Sequence, residues 1–385
     1  MTRSLPRLII HATAVVLVLA GAAVAIASRS EAEAPPPAKP LAEPVQDALA
    51  APAPAGVSGR IEFTNHLVDS AAVPSGDGNA LLSGAEGRFW VARDGRARLE
   101  LQSPAGDAQV LLDGDRLSVY DPASNTVYAI AVPDGDPLDR GAAPGVAAVQ
   151  RSLGRLARGF ALSDARPGTV AGQSAYTVRI APQHDGGLLG AAELAWDAAN
   201  GVPLRAAVYA QGEREPVLEL KATDVDFGAV ADADVAVRHP DDARVVQIDD
   251  VPAAQPGATD RAPLGERAAA AKVQDAIAFP LAAPAEVAGL PRRSVRTVRI
   301  DGETGALVTY GKGIGALMVL QAPAGAGGLA GGDAPGLQEL SIDGVTAHEL
   351  ATALGTVVQF ERDGVDYTIV GSVPPAAAEA AARAL

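Results

Sequence analysis

Ser174, in "GQSAY" (172–176), comes nearest to the surroundings of a hydrolase nucleophile. A nucleophile elbow, G-x-S-x-G, holds its serine on a sharp strand-to-helix turn. Here the second glycine is missing and the flanking residues read as a strand, so acyl-transfer chemistry is not indicated. Four histidines, His66, His184, His239 and His348, lie beyond the N-terminal apolar run, and none belongs to an H-x-x-x-H pair. "SGDGN" (75–79) offers calcium-type oxygens without the downstream Glu or flanking helices of a calcium loop. "YGKGIGA" (310–316) fits neither phosphate-binding pattern, because a β-like run follows it. Asp94, Asp113 and Asp363 each precede Gly, where Asp serves a turn. The reading therefore assigns no catalytic residue, no metal ligand and no cofactor. With Cys 0, disulfides, thiolate metal sites, Cys nucleophiles and a lipoprotein acyl anchor are all excluded.

Composition narrows the class further. A chain of 385 residues suits two domains with linkers. Aromatic residues make up only 4%, so the core must be built from Ala, Val and Leu. Lys+Arg 31 against Asp+Glu 46 gives a net charge of −15, which disfavours nucleic acid as a partner.

The elements that remain are organised as follows. Arg3 and Arg7 precede an uncharged run from Leu8 to Ala27, long enough to span a bilayer's hydrocarbon core. Its positive flank places the rest of the chain outside the cytoplasm. "AIA" at 25–27 also fits signal cleavage. Residues 1–27 are thus an anchor, giving a single-pass membrane protein with extracytoplasmic domains, or a cleaved signal, giving a secreted one. Residues 28–56 are a Pro/Ala-rich spacer in which "EPVQDALAA" suits a short docked helix. Residues 57–250 form a first domain, 251–290 a linker with helical potential in "GERAAAAKVQDAI", and 291–385 a small α+β unit. In that unit "TAHELATAL" reads as a short helix, and "PPAAAEAAARAL" as a closing one with Pro375 near its first turn.

The first domain carries about nine to eleven short strands. "RFWVARDGRARLEL" (88–101) alternates on both sides of Asp94-Gly95, the pattern of a hairpin. Apolar pairs recur at i, i+2: Leu99/Leu101, Leu117/Val119, Val178/Ile180, Leu194/Trp196 and Leu204/Val208, with Arg, Glu, Thr and Ser on the opposite parity. One stretch breaks this rhythm. Over 144–162, Val146, Val149, Leu153, Leu156 and Phe160 follow helical spacing, with Arg151, Arg155 and Arg158 off the stripe. Burying that stripe would contribute roughly 7–15 kcal/mol at ~1.5–3 per side chain. One helix cannot cover so many strands. The expected fold is α+β: a curled antiparallel half-barrel with a helical plug, plus a small α+β C-terminal domain. The candidate lipid-lining residues are Trp90, Leu99, Leu101, Leu117, Val119, Val149, Leu153, Leu156, Phe160, Val178, Ile180, Leu194, Trp196, Leu204 and Val208.

"GRFWVARDGRARLELQSP…VLLDGDRLSVYDPASNTVYAI" and "VAGQSAYTVRIAP…AELAWDAANGVPLRAAVYAQGEREPVLELKATDVDFG" resemble the LolA-like outer-membrane lipoprotein carrier superfamily over residues 57–245. That resemblance implies a half-barrel binding a lipid or an acylated protein in its apolar concavity, with no enzymatic activity. The two-domain layout is similar to the RseB/MucB type. This implies the alternative of a regulator whose C-terminal domain binds an anti-sigma factor or another envelope or membrane protein. The segment 341–385 looks like a small domain common in exported bacterial proteins. A tether, a spacer and an extra domain depart from a soluble carrier and favour a tethered receptor or regulator.

Overall fold

The computed structural model describes residues 33–68, 80–114, 116–131, 145–236, 239–248, 266–300, 302–325 and 337–385. The apolar run 8–27, "SGDGN" and most of the Gly-rich segment 324–336 lie outside these. No helix among the described residues is long and apolar enough to cross a membrane.

The chain enters along the first domain. A short helix, α1 (Ala42–Ala50), precedes β1 (Gly56–Asn65) and a helical turn, α2 (Ala80–Ser83). A meander follows: β2 (Ala85–Ala92), β3 (Ala97–Ser103), β4 (Gly106–Asp113), β5 (Arg116–Asp121) and β6 (Thr126–Ala131). Its turns fall at the expected dipeptides, with Gly95 at φ 90 and Gly114 at φ 61. Helix α3 (Val146–Leu156) leads to β7 (Phe160–Leu162), β8 (Arg166–Val170), β9 (Gln173–Pro182), β10 (Leu189–Asp197), β11 (Pro203–Ala210) and β12 (Leu218–Asp226). A last turn, α4 (Asp232–Val235), precedes β13 (Arg244–Ile248).

These strands make one 13-stranded sheet in the order β13-β6-β5-β4-β3-β2-β1-β12-β11-β10-β9-β7, with β8 on β9. The two meanders flank β1 and β12. Every pairing is antiparallel except β13 with β6, where the chain returns to the sheet's far edge. β6 and β7 lie toward opposite edges of the sheet, and α3 falls between them in the chain.

Register decides which side chains share a face. One line runs Val178, Leu194, Ala206, Leu220, Phe63, Ala85 across six strands. Another runs Phe89, Leu99, Val110, Val119, Tyr128, Val246 across six. Both are apolar throughout. The adjacent lines read Trp90, Arg98, Leu111, Ser118, Ala129 and Arg179, Glu193, Ala207, Glu219. The sheet curls with the apolar face inward, and that face gathers strands from both meanders into one cluster.

One reading of the sequence changes here. The helix expected over 144–162 covers Val146–Leu156 only, and Phe160 stands on β7, paired with Pro182 of β9. Gly159 carries the chain out of the helix, and the next three residues find a strand partner. The helix packs on α1, and Val149 is its one buried residue. The short docked helix expected in the spacer is α1, and residues 33–50 lie against the first domain. Glu33 N–H donates to Gly172 O, Lys39 forms a bridge with Ala165, and Leu41, Val45 and Ala48 cover Tyr176, Val178 and Trp196.

The second unit begins in packing terms at α5 (Glu266–Gln274), whose Val273 enters the C-terminal core. Its strands are β14 (Glu286–Val287), β15 (Leu290–Ile300), β16 (Glu303–Tyr310), β17 (Leu317–Pro323), β18 (Gln338–Ile342), β19 (Val345–Thr352), β20 (Gly355–Arg362) and β21 (Val365–Gly371). They form a sheet ordered β14-β15-β16-β17-β21-β20-β19-β18. Helix α6 (Pro375–Arg383) closes it, with Ala378, Ala381 and Ala382 fully buried. "TAHELATAL" is not a helix: it falls mostly within β19, hydrogen-bonded to β18 and β20. Two flanking strands outweigh the helical preference of an Ala/Leu-rich run.

Backbone bonds join the two units. Leu188 N–H donates to the Ser372 carbonyl (3.1 Å) and to its Oγ (3.0 Å). Gly315 N–H donates to Asp185 O (2.6 Å), and Ala353 N–H to Leu67 O (2.9 Å).

Candidate ligand-binding site

The inner face of the first sheet gathers apolar side chains from both meanders. It divides by exposure into two kinds of residue. Leu99, Leu101, Leu117, Val119, Val110, Ile61 and Phe63 are buried in one cluster with Ala80 and Leu81 of α2. Of the predicted lining residues, Leu99, Leu101, Leu117 and Val119 are therefore packed core. Phe89, Leu112, Ile130, Leu194, Val208 and Leu220 sit on the same face but are only half-buried. These are the side chains an apolar guest can touch. Leu194 and Val208 were legible from parity; Phe89, Leu112, Ile130 and Leu220 were not singled out, although each continues an i, i+2 series.

The rest of the predicted set scatters. Val178 and Trp196 are buried under α1, and Ile180 borders them. Trp196 leaves its indole N–H without a partner among the described residues. Leu204 joins a separate cluster with Val57, Val202 and Phe227. Val149 is buried and Leu153 half-buried on α3, while Leu156 is exposed. Phe160 is half-buried on β7. Trp90 is on the opposite, outer face. Its ring lies between the guanidinium carbons of Arg88 (5.0 Å) and Arg98 (5.2 Å), and Arg98 also pairs with Glu100. Adjacent Phe89 and Trp90 are equally apolar; Phe89 turns inward because it pairs with Leu99, and Trp90 outward because it pairs with Arg98.

On the outer face one carboxylate is held by four donors. Glu193 accepts hydrogen bonds from Arg205 (2.9 Å), Tyr209 (2.9 Å), Arg166 (2.8 Å) and Arg179 (3.2 Å). Burial pushes this carboxyl up, but the four donors outweigh it and hold the group at about 2. Arg205 also binds Glu219 at 2.5 Å.

The chemistry-bearing residues do not converge. Ser174 Oγ donates to Ala34 O (2.5 Å), so it fastens the N-terminal segment. His66 borders a cleft of about 440 Å³ at the rim of the sheet, beside Glu62, Asn65, Gly84 and Gln102. His184 is exposed and His348 stands on β19. Sequence spacing gave no sign of one contact, Ser118 Oγ with His239 Nε2 at 3.2 Å. Burial lowers this imidazole's pKa, its Nδ1 has no partner among the described residues, and Ser118 is only 8% exposed. The contact pins the returning chain to the outer face. Lys312 lies in the β16–β17 turn, with Gly311 and Gly313 at positive φ. No group of three His, Cys, Asp or Glu among the described residues could hold a metal ion.

No protein-family model matches the chain. No curated protein matches it either. Among solved structures, it is similar to MucB in the Pseudomonas aeruginosa MucA/MucB complex, at 16% identity and a TM-score of 0.41, covering 89% of this chain and 96% of that one. It is similar to MucB in complex with MucA(peri) at 18% identity and a TM-score of 0.37, covering 89% and 94%. A LolA superfamily protein from Nitrosomonas europaea is similar at 11% identity and a TM-score of 0.24, covering 52% of this chain and 99% of that one. These are likenesses of fold at low identity, and no residue's role passes from them to this chain.

Proposed function

We propose that the protein is a non-enzymatic extracytoplasmic binding protein that holds a lipid acyl chain, free or on an acylated protein, against the inner face of its first sheet, and that residues 1–27 export or tether it. One observation carries this reading. Two register lines across the inner face are apolar throughout, yet Phe89, Leu194, Val208 and Leu220 are left half-buried among the described residues. Half-covered side chains of this size gain roughly 25 cal/mol for each Å² that a guest removes from water. An acyl chain matches them, since it supplies apolar area and asks for few polar partners. The negative net charge and the absence of Cys fit the same reading without requiring it.

The test is organic extraction of the purified full-length protein followed by mass spectrometry, with titration of a fluorescent fatty acid in parallel. Recovery of stoichiometric lipid and saturable, competable binding are expected. Protein that emerges lipid-free and gives no saturable signal would overturn the reading.

A further inference from the structure

The C-terminal sheet ends on one side in β15, which β14 accompanies for two residues and against which α5 packs. Leu290 and Pro291 of β15 pair with Val287 and Glu286 of β14. From Ser294 to Ile300, β15 pairs with β16 alone. Its other flank is a row of backbone N–H and C=O groups with no strand partner among the described residues, which is a template for another strand. Val295 is anchored in the core beneath, so the edge is held in extended form before anything binds.

The same stretch carries Arg293, Arg296 and Arg299, all exposed. None has an ion-pair or hydrogen-bond partner among the described residues. Arg292, by contrast, is half-buried and donates to Ala283 O. Carboxylates on the adjoining strands stand at the two ends only, Glu286 opposite Pro291 and Glu303 opposite Ile300. A run of three unneutralised guanidiniums is out of keeping with a chain of net charge −15. Charge on an exposed edge also deters unwanted pairing. A stripe of one sign does so selectively: it repels basic strands and attracts acidic ones. Arg296 and Arg299 take opposite faces of the strand, so a complementary segment needs carboxylates on both of its faces.

We propose that the β15 edge, residues 293–300, is a docking site for an extended acidic segment of another protein, which adds as a strand and sets its carboxylates against Arg293, Arg296 and Arg299. This does not depend on what the first domain holds.

The experiment is fluorescence anisotropy of full-length protein with a short labelled peptide rich in Glu and Val. Saturable binding that weakens as salt rises is expected. The variant Arg293→Glu/Arg296→Glu/Arg299→Glu should weaken it by about tenfold or more, while the corresponding triple Lys variant keeps most of it. A peptide of the same sequence, N-methylated on alternate residues, keeps its charge but loses backbone donors, and should bind as poorly as the unmodified peptide binds the Glu variant. Equal binding of the methylated peptide would reduce the contact to surface charge and overturn strand addition. Arg-dependent binding to vesicles containing phosphatidylglycerol, without peptide binding, would overturn it in favour of a lipid headgroup. Self-association of the native chain that disappears in the Glu variant would overturn it in favour of a second copy.

Discussion

Glu193 and Glu349 are carboxyls in opposite circumstances. Glu193 is held at about 2 by Arg205, Tyr209, Arg179 and Arg166, against the effect of burial. A folded-state pKa below the unfolded one contributes stability that is present above about pH 4.5 and lost as pH falls toward 2. Glu193→Gln should therefore flatten the fall in melting temperature between those limits. The expected cost near pH 7 is on the order of 1–2 kcal/mol once solvent screening at the rim arginines is allowed for. Glu349 is 7% exposed, and burial, then the charge of Glu379, pushes its pKa up. A raised pKa favours the fold below the unfolded value and disfavours it as pH rises through the folded one. Glu349→Gln should raise the melting temperature at pH 7–8 and leave it nearly unchanged at pH 4, as thermal scans at each pH would register. For the binding reading, the informative pair is Val208→Trp and Trp90→Ala. The first fills the half-open part of the inner face and should lower fatty-acid affinity by about tenfold, or ~1.4 kcal/mol. The second removes an outer-face ring and should leave affinity unchanged.

Helix α1 shows how an element is placed by its neighbours. The β10–β11 turn is built by Asp197, which accepts from Ala199 and Asn200 N–H (2.9 Å each), and by Asn200, which accepts from Val202. It ends in Gly201 at φ 75, where an added Cβ would lie 2.8 Å from Ala48 O of α1. Gly201→Val should cost about 1–3 kcal/mol through backbone strain and lift α1 from Trp196. Faster hydrogen exchange over 42–50 is the expected signature, and unchanged exchange there would show that the contact is not tight. The hairpins were legible because alternation and Asp-Gly or Asn-Gly turns are local signals. The face of Trp90, the strand identity of "TAHELATAL" and the shortness of α3 were not, because each is settled by a partner distant in sequence: Arg98, β18 with β20, and β9 holding Phe160. The inner face was legible as a pattern. Which of its residues are open was not, since that depends on what α1, α2 and the C-terminal unit happen to cover.

At the scale of the molecule, the two sheets are joined by backbone and not merely by side chains. Gly187, at φ 57, is the tightest point: a Cβ there would collide with the Ser372 carbonyl oxygen. Gly187→Ala should uncouple the units, seen in calorimetry as one unfolding transition becoming two. The β19–β20 turn makes the dependence sharper, because Ala353 and Leu354 pack into the cluster of the other domain, beside Leu67. The N-terminal fold thus borrows part of its roof from residues synthesised a hundred positions after its last strand. Produced alone up to residue 250, it would present bare hydrocarbon at that corner, and it should aggregate or bind a solvatochromic dye that the complete chain ignores.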